Sequence, residues 1–418
     1  MRHALAAAGA VITACVVAWC VQGDQTGRVT THLALYGTAF GAYLVALHAS
    51  RDLSRRGLRI VVGVSILWRA ALLTSPPLLS DDVYRYVWEG RIQLHGGNPF
   101  AWSDRPSAEK YRGLRDGVWE RVNHKIYTAI YPPLWQLLAR GVVWVHDSVA
   151  AMKTLVVLCE IGLLGVLARL LALMGLPRER LLVAAWSPLA LVEIAGSGHN
   201  EALGLLLTAL ALLGLAARRP LVSAVFVALA FQAKLVPGLV AVAWARRFRP
   251  FHVAAAATVA GLLVIPYASA GRGLWRSLGK YGQFWRFDET LFAFLAEVAG
   301  GHETAVALAL GLLAAIAGIL ALRRTEPAAA GLGILAAWLL LSPNVLPWYA
   351  LWFLPFLVIR ESPAVLLFTG TVSLAYLVYP GWLAGGDWQV PWSVRALQYG
   401  PCLLVAAETW RRSRRASS

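Results

Sequence analysis

Charge is what this chain has least of. Of its 418 residues only 14% are charged and 58% are hydrophobic, with a mean hydropathy of +0.60; an ordinary soluble domain is about 25% charged. This composition excludes a soluble enzyme and leaves no stretch for a separate soluble domain, so residues 1–418 are expected to form a single integral membrane domain. Cysteine is almost as scarce: Cys15, Cys20, Cys159 and Cys402 lie inside apolar runs, without the spacing of a zinc site or a disulfide framework. They read as packing residues. Heptad patterning and solenoid-type repeats are absent as well. The first apolar run, Ala4 to Val21, is not followed by a small-x-small cleavage site, and Trp19 before Cys20 makes a poor lipoprotein signal, so it is expected to be a retained helix.

The charge that is present has one sign, +16 net. In a nucleic-acid-binding protein the Lys and Arg would line one soluble face, whereas here they cluster in short loops between apolar runs, which is the positive-inside signature of a membrane protein. With Met1 in the cytoplasm, the runs Ala4–Val21, Leu33–His48 and Leu58–Thr74 leave Arg51, Arg55, Arg56 and Arg59 inside. Arg246, Arg247 and Arg249, then Arg323 and Arg324, then Arg360 and the "RRSRR" tail also fall inside. Counting Tyr131–His146 and Leu221–Ala245 as ordinary spans would put Leu176–Arg180 and Arg218–Arg219 outside, against the rule. The first is therefore expected to be a helix at the outer surface or entering part way, and the second a dipping pair of half-helices meeting near "AKLVPG". Irregular backbone at that depth is tolerated where it lines a cavity. The expected fold is all-α, a polytopic bundle of about 12 transmembrane helices plus partial and interfacial helices, with both termini inside. Five outer segments result: Ser80–Ile130, Gly196–Glu201, Gly271–Gly301, Ser342–Tyr349 and Trp382–Trp392.

The residues with chemical potential gather in those segments. In "SDDVYRYVWEG", Ser80 is suited to an N-cap, with Asp81 and Asp82 in the first helical turn, where the dipole favours carboxylates. One reading is structural: Asp81 or Asp82 pairs with Arg85, and Arg85 with Glu89, at helical spacing. The other is chemical: a partly desolvated carboxylate at the membrane boundary acts as a general base. In "GSGHNE", Ser197 or Asn200 could cap the next helix, while His199 and Glu201 are ionisable groups at membrane depth. Lys234, far from either basic flank, needs an anion, either a carboxylate or a lipid phosphate; Pro237 and Gly238 fit a broken helix. Arg272, Arg276, Lys280 and Arg286 sit among aromatics in 271–301, against the positive-inside trend, as anionic lipid headgroups would require. Trp348 and Tyr349 read as interface anchors or as a platform for a sugar ring.

Together, "DDVYRYVWEGRIQLHGGNPF", "NHKIYTAIYPPL", "GSGHNEAL", "FQAKLVPGL" and "SPNVLPWYALWFLPF" resemble bacterial GT-C glycosyltransferases, most nearly mannosyltransferases that use polyprenol-phosphate mannose. A more distant likeness is to the catalytic subunit that adds the first mannose of GPI anchors. The likeness runs through most of the chain and is sharpest in the D-x-Y-R-Y-x-W-[DE]-G block. It implies an inverting transfer at the extracytoplasmic face of the bacterial plasma membrane, from a polyprenyl-phosphate sugar to a lipid or glycan acceptor. The catalytic carboxylate would lie in the first large outer loop, 80–130, with Asp82 in the D-x-Y-R-Y register and Asp81 at the first acid of the GPI enzyme's motif. Family loops of this type follow the first helix, whereas here the loop follows the third. Substrate contacts would come from Tyr84, Arg85, Glu89, His199, Asn200, Glu201, Lys234, Arg276, Arg286, Trp348 and Tyr349. No cofactor is required by this chemistry, although the two carboxylates could hold a divalent ion. The competing expectation is a secondary transporter or a lipid-linked sugar flippase, which would also bury charges and break helices. Related halves, common in such folds, are not found. A third option, an O-antigen-ligase-like enzyme, would share the basic loops but not the acidic pair.

Overall fold

A computed structural model describes residues 2–51 and 53–417. It is 77% helical, and the described residues contain no strand, only an isolated bridge between Phe287 and Asn344. The chain is an all-α polytopic membrane protein. Among the described residues, five helices are long and apolar enough to cross a membrane: His3–Gln22, Val149–Leu173, Pro250–Ala270, His302–Leu322 and Pro363–Leu383. Beside them stand shorter apolar helices, including Glu201–Ala216, Pro220–Ala233 and Pro327–Leu341.

We number the elements used below α1 (Val29–Ala49), α2 (Arg55–Leu73), α3 (Asp82–Leu94), α4 (Pro133–Val145), α5 (Val149–Leu173), α6 (Glu201–Ala216), α7 (Pro220–Ala233), α8 (Pro237–Ala243), α9 (Gly273–Phe284), α10 (His302–Leu322) and α11 (Pro327–Leu341). Proline opens α4, α7, α8 and α11, where its fixed φ suits the first turn and its missing N–H costs nothing. Ser54 caps α2 by accepting from Gly57 N, and Ser148 caps α5 by accepting from Ala151 N. One continuous apolar cluster runs from Ala8 to Val372. Within it, small residues bring helices close: a Cβ on Gly204 of α6 would stand 2.5 Å from the Trp352 ring.

Buried charges inside the bundle are matched rather than free. Arg69 on α2 pairs with Glu160 on α5, both almost fully buried, and Lys153 donates to the carbonyls of Leu72 and Ser75 at 2.7 and 2.8 Å. That ammonium adds a donor to carbonyls at and just past the end of α2, where Leu72 O also accepts from Ser75 N at 3.3 Å.

Neither of the two segments that broke the charge rule forms a full-length spanning helix. α4 has 13 residues and packs against α3 and α7. The stretch 221–245 is broken at Lys234–Val236 between α7 and α8. Arg218, before α7, and Arg246, after α8, line one and the same cavity. The pair therefore enters and leaves at one end of the bundle.

Candidate active site

The site is set by a turn just before α6. A π-helical stretch, Leu191–Gly196, leads into Gly198, whose φ of +86° lies in the left-handed region. A Cβ on Gly198 would meet Val83 at 3.1 Å and Lys153 at 3.2 Å. Only glycine lets this backbone lie against the start of α3, and that contact carries His199 to the acidic pair.

Asp82 opens α3, and its side chain is 17% exposed. Its Oδ1 accepts from Asn123 Nδ2 at 2.7 Å and its Oδ2 from the Tyr131 hydroxyl at 2.7 Å. The Nδ1 of His199 lies 3.8 Å from Oδ2. Burial alone would push the Asp82 carboxyl up, but His199, the Tyr131 hydroxyl, Lys234 and Asn123 outweigh it and hold the group below the usual carboxylate range. Asp81, at the outer rim, shares Asn123 Nδ2 at 2.7 Å. Desolvation first, then the Asp82 charge, push its carboxyl up to about 6. The dyad is thus split: Asp82 is held towards its ionised form, while Asp81, at about 6, is pushed towards its protonated one.

Beneath it, Lys234 Nζ stands 2.6 Å from Glu201 Oε1, donates to Asn200 Oδ1 at 2.9 Å, and lies 4.7 Å above the Tyr131 ring. Here the carboxylate alternative for Lys234 is what the structure shows. An ammonium has three donors, so one remains for a further anion. The His199 ring stacks on Trp348 at 4.0 Å, and its Nε2 lies 3.5 Å from Glu193 Oε2. Neither His199 nitrogen, nor Asn200 Nδ2, has a hydrogen-bond partner although all are buried. Such groups are what a bound sugar's hydroxyls would satisfy.

The five segments expected on the outer side meet here. Segment 80–130 touches 196–201 through Asp82 and His199, and 196–201 touches 342–349 through the Trp348 stack. The 271–301 loop joins through Tyr281, whose hydroxyl lies 2.6 Å from that of Tyr349, and through Ser277, 2.6 Å from Thr128. Trp388 of the last segment stacks on Phe287 at 5.4 Å.

Several expectations are corrected. Ser80 is not the N-cap: Asp81 occupies that position without a side-chain cap bond, and Ser80 Oγ accepts only a 3.3 Å contact from Asp82 N. Asn200 sits at the N-cap of α6, but its side chain faces Lys234 instead of capping. Neither aspartate pairs with Arg85. Arg85 pairs with Glu89 at 2.8 Å and donates to the carbonyls of Asn123, Tyr127 and Thr128, so Arg85 and Glu89, both buried, brace the loop that carries Asn123. Tyr84 accepts from Arg121 at 2.7 Å. Arg276 lies over Trp102 at 5.4 Å, and Arg286 is held by Glu289 at 2.6 Å; no contact joins either one to the Asp82–Lys234 group. Tyr349 lines the site through Tyr281, and Trp348 gives one face to His199.

The residues that sequence reasoning passed over are Asn123, Tyr131, Glu193 and Tyr281. The first two stood in the "NHKIYTAIYPPL" stretch that carried the family likeness, which was the available signal. Among the described residues, no group of three or more His, Cys, Asp or Glu side chains is arranged to hold a metal ion.

Acids, a histidine, a lysine and stacked aromatics thus meet at one end of the helical bundle, and the comparisons give the class, a glycosyltransferase. Residues 2–247, more than half of the chain, match the family model described as "Alpha-(1->6)-mannopyranosyltransferase, N-terminal domain". The chain belongs to that family, and with it to the bacterial GT-C mannosyltransferases. Among curated proteins it is 26% identical over 216 residues to alpha-(1->6)-mannopyranosyltransferase A of Mycobacterium tuberculosis, across 48% of this chain and 41% of that protein. It is 28% identical over 430 aligned positions to a probable alpha-(1->6)-mannopyranosyltransferase of Mycolicibacterium smegmatis, across 83% of this chain and 74% of that protein. The chain thus spans about two fifths of the first relative's length. No solved structure matches it.

Proposed function

We propose that this protein transfers a mannosyl residue from a polyprenyl-phosphate carrier to a lipid or glycan acceptor on the extracytoplasmic side of the membrane, with Asp82 as general base. The observation that carries the reading is the pairing of an ionised, half-enclosed Asp82 with Lys234 across the Tyr131 ring. In this reading Asp82 removes the proton from the acceptor hydroxyl as its oxygen attacks the sugar's anomeric carbon. The bond to the carrier phosphate breaks, and the third donor of Lys234 meets the charge that develops on that phosphate. His199, Asn200 and Glu201 orient hydroxyls, converting an encounter into a positioned attack.

The relatives' names specify an alpha-(1->6) linkage. An inverting enzyme making that linkage takes a β-configured donor. The proposal needs no metal; the Asp81–Asp82 pair is where a divalent cation would bind, and activity in excess chelator decides the point.

The test uses membranes carrying the full chain, labelled polyprenol-phosphate mannose and extracted endogenous glycolipids. Transfer of label is expected from that donor and not from a nucleotide sugar in carrier-free vesicles. Transfer from the nucleotide sugar alone, or movement of the intact donor across the vesicle wall without transfer, would overturn the reading.

A further inference from the structure

At the opposite end of the bundle lies a second concentration of function-bearing side chains. Arg218, Arg246, Arg247 and Arg324 come from three separate connections, yet they line one cavity of about 670 Å3. That volume is within the range of small-ligand sites. No carboxylate among the described residues forms an ion pair with any of the four. The acid in the wall, Glu326, is spent on its own helix: its two oxygens accept from Ala328 N and Ala329 N at 2.9 Å each, capping α11. Arg247 is oriented by the carbonyls of Thr325 at 2.6 Å and Arg324 at 3.3 Å.

Two of these arginines occupy costly backbone positions. Arg218 has φ 57° and Arg324 φ 49°, the left-handed region where glycine is at ease and a side chain is strained. The positive-inside rule asks only that cations lie on this side, and Arg55 and Arg56, exposed like Arg218, Arg246 and Arg324, satisfy it at the start of α2 away from the cavity wall. It does not ask that four cations line one cavity with a single carboxylate, Glu326, among them. Their mutual repulsion is relieved by an anion between them.

The rest of the wall says what kind. Leu212, Leu215, Met174 and Ile359 face the same space, at the ends of apolar helices. A cationic rim over an apolar wall suits a phosphate that brings hydrocarbon with it. We propose that this cavity binds the phosphate of an anionic lipid headgroup, in a site separate from the proposed transfer centre. α6 starts at Glu201 beside Lys234 and ends at Ala216 in the cavity wall. At 1.5 Å per residue the two sites stand about 22 Å apart.

The experiment is thermal unfolding and native mass spectrometry of the full chain in detergent, with phosphatidylglycerol, phosphatidylcholine or inorganic phosphate added. Phosphatidylglycerol is expected to raise the midpoint and to remain bound after declustering, while phosphatidylcholine and inorganic phosphate do neither. The double variant Arg218→Gln/Arg246→Gln, whose side chains make no bond that the fold needs, is expected to weaken phosphatidylglycerol binding at least tenfold. The control Arg55→Gln/Arg56→Gln should change it less than twofold. Equal loss in both double variants, or equal binding of phosphatidylcholine, would overturn the site. Inorganic phosphate matching the lipid would overturn the lipid assignment. None of these readouts depends on sugar transfer.

Discussion

The two ends of this bundle handle charge in opposite ways. At the acidic end the charges are paired, Asp82 with Asn123 and Tyr131 and Lys234 with Glu201 and Asn200, while the His199 nitrogens are left without a hydrogen bond. At the basic end four arginines share a cavity with one carboxylate, Glu326, and none of the four is in an ion pair among the described residues. The first arrangement is preorganised, with protons and dipoles set before a reactant arrives, as transition-state stabilisation requires. The second is a standing field that a ligand completes. The two proposals follow that division, chemistry at the first site and retention at the second.

Substitutions should separate the two. The largest effect is expected from Asp82→Asn, which keeps the hydrogen bond to Asn123 possible but removes the base. Transfer should fall about 1,000-fold, about 4 kcal/mol of barrier, with expression and lipid binding at the basic end unchanged. Radiolabel transfer in membranes measures it, and normal turnover in this variant would move the base elsewhere. Lys234→Met comes next, about 100-fold, with the loss in kcat rather than KM if the ammonium serves the leaving phosphate. Asn123→Ala, which unties both aspartates at once, should cost about tenfold.

A pH profile refines the acidic end further. With the Asp81 carboxyl at about 6 against an ordinary 3.8, the dyad carries two charges above that pH and one below it. The wild-type rate is expected to show a step near pH 6, absent in Asp81→Asn. The sign for stability follows from linkage: a folded state that takes up the proton earlier than the unfolded one gains stability as pH falls from 6 towards 3.8. Asp81→Asn should flatten that contribution in denaturation curves. The smallest effect is expected from Arg218→Gln/Arg246→Gln, less than twofold on transfer. A large loss of transfer there would mean that the two ends are coupled through α6 and α7.

Composition alone carried the all-α membrane architecture, because few sequences this poor in charge have another way to satisfy their backbone. The shortness of 131–146 and the break at Lys234 were legible too, since both resolved a conflict with the charge rule. What stayed hidden were partners distant in sequence. Nothing local distinguishes an Asp82 tied to Arg85 from one tied to Tyr131, 49 residues on, and local spacing favoured the nearer pair. Arg276 and Arg286 were expected at the site because they were cations on the right side. The structure gives them to Trp102 and Glu289, since a loop's sign does not fix where its side chains turn. Asn123 and Tyr131 lay within a motif without a role until the fold placed them against Asp82.

The brevity of α6 and α7 has its own implication. Helices of 16 and 14 residues rise about 24 and 21 Å, short of a hydrocarbon slab about 30 Å thick. In the proposed orientation, Lys234 and Glu201 then lie below the level of the lipid headgroups. A water-soluble sugar would have to descend to them, whereas one hung on an isoprenoid tail arrives sideways, already at the right depth.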